Sequence, residues 1–289
     1  MSLRLQYARP RNLDQTMGLL DGLSAGAMII AGGQELMPHL NYGRISPSVF
    51  VDISGLKELQ GVEATNAGIS IGALTVHRDV QTDPMISETL PLLAYAAGQI
   101  GGGRQILNRG TIGGNIVAVH PLYDIIPALL VLEAEIEIAN SAGSRVVSLS
   151  DLLTDTSHQL GTHAVLTRII VPNPPQPHGW AYEKLKISDG CYASANAAAM
   201  ATLGPDGKLA SVRLTIGAVT ERTIDLTPAL SDLVAEDPDA DLDETIAEAC
   251  KTSIPEPLSD QQGHGEYRRA MASVVARRAV AAAVQSAHD

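Results

Sequence analysis

Cysteine is scarce in this chain. Its 289 residues include only Cys191 and Cys250, and no C-x-x-C spacing occurs. This excludes a disulfide framework, and it excludes an iron–sulfur cluster or four-cysteine zinc site held by this chain alone. Any redox chemistry must therefore use an organic cofactor or a metal held by a partner.

Aromatic residues, positive charge and long apolar runs are also in short supply. Aromatics make up 3% of the residues, so small aliphatic side chains must fill the core. The formal net charge is −12 and no block of Lys and Arg occurs, which argues against a nucleic-acid partner. No apolar run approaches the roughly 20 residues that cross a bilayer. Residues 1–7 lack the apolar core of a signal peptide, so we expect a cytoplasmic protein without a membrane span.

The hydrophobic pattern predicts alternating strands and helices up to residue 172. In the N-terminal part, strands are expected at 3–7, 27–31 and 49–53, with an amphipathic helix at 12–23 and a helical segment at 34–40. Further on, strands are expected at 68–72, 136–138 and 165–171. Helices are expected at 90–100 and 125–132, and a third is expected to be capped by Thr75 and to run to Val80.

A proline-rich run at residues 172–177 indicates a boundary. Beyond it, residues 182–187, 195–203 and 209–219 have the pattern of an antiparallel meander. Acidic helices and a long helix over about 266–286 complete the chain. We therefore divide the sequence into three parts, 1–58, 59–175 and 176–289.

Two short glycine loops carry the chemical signal. The first, A-G-G-Q-E-L at 31–36, follows an apolar strand, and the second is R-G-T-I-G-G-N at 109–115. Paired glycines let a pyrophosphate approach several backbone N–H groups, and two such loops can clamp one dinucleotide from both sides. Either loop alone is also compatible with a plain tight turn. Neither matches G-x-G-x-x-G or a P-loop, so spacing alone leaves both readings open.

Together, A-G-G-x-x-L and N-R-G-T-I-G-G-N resemble the FAD-binding subunits of the xanthine dehydrogenase family. The layout is most similar to that of the medium subunit of aerobic carbon monoxide dehydrogenases. Further matching segments are I-G-A-L-T at 71–75, Y-E-K-L-K at 182–186 and Y-R-R at 267–269. The resemblance implies an α+β fold. It consists of a two-part FAD-binding domain of the PCMH (vanillyl-alcohol-oxidase-like) type and a C-terminal three-stranded sheet with helices.

Site residues carried over from the resemblance fall into three groups around FAD. The two loops would hold the pyrophosphate and adjoining groups, Asp124 would accept hydrogen bonds from the sugar, and the rest would lie at the isoalloxazine. Lys184 is alternatively a solvated strand lysine, and Tyr192 a buried strand tyrosine. The implied residues are Ala31, Gly32, Gly33, Gln34, Glu35, Leu36, Thr111, Gly114, Asn115, Asp124, Leu166, Lys184 and Tyr192.

Two segments depart from the family pattern. Residues 119–124 read V-H-P-L-Y-D where many relatives have A-D-P-A-A-D. His120 therefore either contacts the cofactor or satisfies a loop carbonyl, and Tyr123 has no assigned role. The segment 101–104, G-G-G-R, lacks a D-P variant, and the neighbouring residues 100–103 are expected to approach the other face of the flavin ring.

The resemblance implies an oxidoreductase subunit. FAD here would receive electrons from the [2Fe-2S] clusters of a small subunit, and a large subunit would hold the molybdenum-pterin cofactor and the substrate. The family usually forms a dimer of heterotrimers. No side chain of this chain is expected to act as a catalytic acid or base, and no histidine has metal-ligand spacing. The alternatives are a stand-alone FAD-dependent reductase and a non-catalytic scaffold of the same fold.

Overall fold

The computed structural model describes residues 5–23, 26–154, 160, 163–236 and 241–289. The strands are β1 Gln6–Ala8, β2 Ala27–Ile30, β3 Val49–Asp52, β4 Val62–Thr65, β5 Gly68–Gly72, β6 Glu135–Asn140, β7 Gly143–Ser148, β8 Val165–Val171, β9 His178–Lys186, β10 Ala193–Leu203, β11 Leu209–Gly217 and β12 Ile224–Asp225. The helices are α1 Leu13–Gly22, α2 Leu36–Asn41, α3 His77–Thr82, α4 Pro84–Thr89, α5 Pro91–Gly98, α6 Arg104–Leu107, α7 Ile112–Ala118, α8 Ile125–Val131, α9 Leu149–Thr154, α10 Thr227–Glu236, α11 Leu242–Ser253 and α12 Gly265–His288.

The N-terminal part is a three-stranded parallel sheet in the order β1-β3-β2. Helix α1 begins where the sequence predicts, because the Asn12 side chain caps it by accepting from Gln15 N–H at 2.9 Å. Its apolar face packs Met17 and Leu20 against Val51 of the sheet. The first predicted strand lies at Gln6–Ala8, and residues 3 and 4 of that prediction lie outside the described residues.

The middle part is a five-stranded sheet in the order β4-β5-β8-β6-β7, in which every neighbouring pair is antiparallel. Strands β4 and β7 were not predicted, because their residues are mostly exposed and polar. The predicted cap by Thr75 is wrong: α3 begins at His77 without a side-chain cap. Thr75 Oγ1 instead accepts from Gly61 N–H at 3.0 Å and donates to Gly61 O at 3.1 Å.

The C-terminal part is an antiparallel sheet in the order β12-β11-β10-β9, so a short fourth strand adds to the predicted meander. Helix α12 packs on it so closely that a Cβ at Gly179 would lie 2.1 Å from Ala283 O. Strand β10 is buried on both faces: Ala197 and Ala199 pack with α12, whereas Ala198 and Met200 join the core of the middle part. This shared strand fixes the C-terminal sheet against the middle part.

The three sheets occupy residues 6–52, 62–171 and 178–225, and the proline-rich run lies between the second and the third. The division at residues 58 and 175 stays a prediction. In the described part of the chain, no helix is long and apolar enough to cross a membrane.

Candidate cofactor site

A cavity of about 750 Å³ lies between the two glycine loops. Its volume falls in the upper part of the range of roughly 300–1,000 Å³ that is usual for cofactor and small-molecule sites. The loops touch at Gly32, where an added Cβ would lie 1.9 Å from Arg109 O. Gly33 has a φ of +72°, which a residue with a Cβ rarely adopts. Glycine at these two positions is therefore what allows the loops to form one cavity.

The structure brings together residues that are far apart in the sequence. Within the described part, Lys184 is the one predicted site residue that is absent from the cavity lining, which also includes Ile100, Gly101 and Gly102. The predicted residues that line it are Ala31, Gly32, Gly33, Gln34, Glu35, Leu36, Thr111, Gly114, Asn115, Asp124, Leu166 and Tyr192.

The first loop offers unpaired backbone donors. In the described structure, the N–H groups of residues 32–35 donate to no protein acceptor. The Gln34 side chain folds back and donates to Gly32 O at 3.2 Å, and α2 begins at Leu36, the last residue of the loop. Several free amides next to one another attract an anion, because each carries partial positive charge. This loop has the chemistry of a phosphate-binding loop.

The second loop differs, because the N–H groups of residues 112–115 already have acceptors inside the protein. Some of these N–H groups donate to carbonyls of the segment that follows β5. The others donate to Thr111, which precedes the first residue of α7. The amide partners at 2.9–3.2 Å are Ile112 to Thr75 O, Gly113 to Ala73 O, Gly114 to Thr111 Oγ1 and Asn115 to Thr111 O. Apart from Thr111, whose N–H has no protein acceptor in the described structure, these residues therefore offer no free amide to a ligand. The second loop offers side chains instead: the Thr111 hydroxyl and the carboxamide of Asn115, whose buried Oδ1 has no partner among the described residues.

Asp124 forms part of the cavity wall and is bound from behind by Lys184. The two side chains are each 3% exposed, and Lys184 Nζ lies 2.8 Å from Asp124 Oδ2. Lys184 also donates to Gln99 O at 2.8 Å, and Tyr182 OH donates to Asp124 Oδ1 at 3.1 Å. Burial raises the pKa of Asp124, and the Lys184 ammonium partly offsets this rise. The alternative that Lys184 is a solvated strand lysine is wrong.

A stack of three rings borders the cavity where the sequence departs from the family pattern. The His120 ring lies 4.8 Å from Tyr123 and 5.5 Å from Tyr192, at interplanar angles of 26° and 24°. His120 Nδ1 accepts from Leu122 N–H at 3.2 Å, so His120 satisfies a loop amide rather than a loop carbonyl. Tyr192 is 42% exposed and precedes β10, so the alternative of a buried strand tyrosine is wrong.

Some lining residues carried no sequence signal of their own. His77, Ala73 and Leu74 line the cavity, and of these only Ala73 and Leu74 lie in the segment 71–75 that resembles the family. The ring of His77 is buried against Gly110, and burial lowers its pKa to about 4. A histidine at the start of a short helix gives no hint of this role. The segment 71–75 was the available signal.

Comparison with known proteins shows the family to which the chain belongs. The profile of the FAD binding domain in molybdopterin dehydrogenase matches residues 3–174, and that of the CO dehydrogenase flavoprotein C-terminal domain matches residues 180–283. The chain belongs to the FAD-binding subunits of molybdopterin dehydrogenases. The resemblance found in the sequence is confirmed, and so is the fold class.

Relatives cover nearly the full chain. The carbon monoxide dehydrogenase medium chain of Hydrogenophaga pseudoflava is 32% identical over 282 residues, 97% of each protein. The 6-hydroxypseudooxynicotine dehydrogenase complex subunit alpha of Paenarthrobacter nicotinovorans is 30% identical over 97% of this chain and 95% of that protein. Among solved structures, the carbon monoxide dehydrogenase from Hydrogenophaga pseudoflava that lacks the Mo-pyranopterin moiety has a TM-score of 0.89 at 31% identity, with 98% of each chain covered. Quinoline 2-oxidoreductase from Pseudomonas putida 86 has a TM-score of 0.86 at 28% identity, with 99% and 98% covered.

The residues of this FAD-binding subunit fit the cofactor on structural grounds as well. The free amides of the first loop suit a pyrophosphate, and the unpartnered Asn115 Oδ1 suits a ligand donor. A Cβ at Gly32 would occupy the place where the loops meet.

Proposed function

We propose that this chain is the electron-transfer subunit of a molybdenum hydroxylase complex, in which it receives electrons from [2Fe-2S] clusters of a partner and passes them to an external acceptor. The observation that carries the proposal is the cavity between the two loops, with free amides on one side and the Thr111 and Asn115 side chains on the other. When bound, FAD supplies the ability to take up electrons singly and release them as a pair.

The protein supplies position and electrostatics. We assign the amides of residues 32–35 to the pyrophosphate, because these donors lack protein acceptors. From the second loop, the Thr111 hydroxyl and the Nδ2–H of Asn115 would donate to the same group, which leaves Asn115 Oδ1 to accept from a ligand hydroxyl. The Asp124 carboxylate, held in place by Lys184, would accept hydrogen bonds from sugar hydroxyls, since a carboxylate next to a phosphate is unfavourable.

The isoalloxazine would lie at the other end of the cavity. Leu166 is buried in the cavity wall, and Tyr192 borders the cavity with its exposed ring. Ile100, Gly101 and Gly102 face the same space and are candidates for the opposite side of the ring. Such walls would exclude water from the flavin and leave one edge open to the acceptor and the iron–sulfur partner.

The proposed partners are a large subunit with the molybdenum-pterin cofactor and a small [2Fe-2S] subunit, assembled as a dimer of heterotrimers. Relatives named medium chain, or subunit of a dehydrogenase complex, support this assignment. Coexpression with the neighbouring reading frames should yield a complex that contains molybdenum and iron. A chain that instead purifies alone with FAD and full substrate turnover would support a stand-alone reductase.

Titration of the purified chain with FAD, read by quenching of flavin fluorescence, tests the proposal directly. We expect saturable one-to-one binding of FAD and no binding of FMN, because FMN lacks the pyrophosphate that the first loop would hold. Absence of FAD binding, even with the partner subunits present, would favour the non-catalytic scaffold.

A further inference from the structure

A hydrogen bond connects the two walls of the cavity beside the first glycine loop. Tyr123 OH donates to Glu35 Oε2 at 2.6 Å, across 88 residues of sequence. Glu35 belongs to the first loop, next to the parallel sheet, whereas Tyr123 lies between α7 and α8 of the middle part. Both residues line the cavity. The bond therefore joins the N-terminal part of the site to the middle part.

A carboxylate at this place requires an explanation. The free amides of the same loop attract an anion, and the negative charge of Glu35 would repel that anion. Both oxygens of Glu35 have partners: Oε2 accepts from Tyr123, and Oε1 lies 2.9 Å from His39 Nε2. Burial opposes ionisation of Glu35, but the hydrogen bonds from Tyr123 and His39 outweigh it and lower the pKa. The ionised group thus serves the contact between the walls.

Tyr123 is held in the orientation that this contact needs. Its ring stacks on His120 at 4.8 Å, and His120 is fixed in turn by the Leu122 N–H and by Tyr192. A side chain that is already ordered loses little further rotamer freedom when its hydroxyl bonds to Glu35. The unusual residues at 120 and 123 therefore act together with Glu35.

We propose that Tyr123 is a positioning residue that holds the first glycine loop closed around FAD through its hydrogen bond to Glu35. The inference rests on the proposed function, since it names the contact by which the same cavity retains its cofactor. Hydrogen bonds to charged acceptors are among the stronger ones, but the Glu35 side chain is 36% exposed, which weakens this bond. We expect its loss to speed FAD release by about tenfold.

The test compares the rates at which FAD leaves the wild type, Tyr123→Phe, Glu35→Ala and the double variant, measured by flavin fluorescence after dilution. Tyr123→Phe should release FAD about tenfold faster. In the Glu35→Ala background the same substitution should add little, because the acceptor is already gone. Glu35→Gln retains an acceptor for the tyrosine hydroxyl and should restore much of the slow release. Tyr42→Phe, an exposed tyrosine at the end of α2, is the control and should behave as wild type.

A second measurement on the FAD-free chain separates the possible failures. The contact joins two side chains of the protein and involves no cofactor atom, so Tyr123→Phe should speed hydrogen exchange in α2, which follows Glu35, whereas Tyr42→Phe should not. If the wild type binds FAD but Tyr123→Phe changes neither release nor exchange, the inference fails alone. It also fails if the effects of Tyr123→Phe and Glu35→Ala multiply independently. If neither the wild type nor any variant binds FAD, the proposed function fails, and the inference fails with it.

Discussion

Acid should destabilise this protein through the buried ring of His77. Burial lowers the pKa of this histidine from 6.5 to about 4. Between these two values the unfolded chain binds a proton that the folded chain does not, so the free energy of unfolding falls as the pH falls. With the folded pKa near 4, lowering the pH from 7.5 to 4.5 should remove about 2.5 kcal/mol through this one group.

The assay is urea unfolding of the FAD-free chain at several pH values from 4.5 to 7.5, followed by the fluorescence of Trp180. His77→Gln loses the packing of the ring against Gly110 and should be less stable at pH 7.5. Its further loss on acidification should, however, be about 2.5 kcal/mol smaller than that of the wild type. His264→Gln, at an exposed position before α12, should retain the wild-type slope.

Parallel pH profiles for the wild type and His77→Gln would refute the reasoning. They would mean that the ring takes up a proton as readily in the folded chain as in the unfolded one. The ring would then be open to water, and the wall of the cavity beside the second loop would not be packed as the structure has it.

Two further predictions concern the loops and the buried ion pair. Gly32→Ala places a Cβ against Arg109 O, so the two loops must separate. The affinity for FAD, measured by fluorescence titration, should therefore fall by roughly tenfold or more. Gly18→Ala is the control and should leave the affinity unchanged, because a Cβ at Gly18 would meet open space. Lys184→Met leaves the Asp124 carboxylate buried without its cation and should lower the free energy of unfolding in urea at pH 7.5 by about 3 kcal/mol. Adding Asp124→Asn should recover part of that loss, and a double variant no more stable than the single one would contradict the pairing.

Local signals in the sequence predicted most of the elements. The cap at Asn12 and the apolar runs at 27–31 and 165–171 are signals that involve only residues close together in the sequence. The structure has a helix or a strand at each of these places. Strands β4 and β7 escaped prediction because exposed polar strands lack the alternation that a half-buried strand shows. Thr75 has the residue type of a helix cap, yet its hydroxyl bonds to Gly61, fourteen residues earlier.

The sequence predicted which residues line the site better than it predicted the contacts among them. Strand periodicity places Lys184 on one face of β9, but only the packing of β9 and β10 on the middle part decides that this face is buried. The Tyr123–Glu35 bond likewise depends on where two chain segments meet. Such contacts have no signature in a single sequence.

The two glycine loops look alike in sequence but act differently, and the reason lies in where their N–H groups go. The first loop has free amides and a glycine with positive φ, both of which suit direct contact with an anion. In the second loop, a Cβ at Gly113 would lie 2.7 Å from Ala73 Cβ and 2.8 Å from Ala73 O, so this glycine serves packing. Substitutions in the first loop should therefore weaken the attraction for phosphate directly. Substitutions at Gly113 should act by displacing the whole loop, together with the Thr111 and Asn115 side chains that line the cavity.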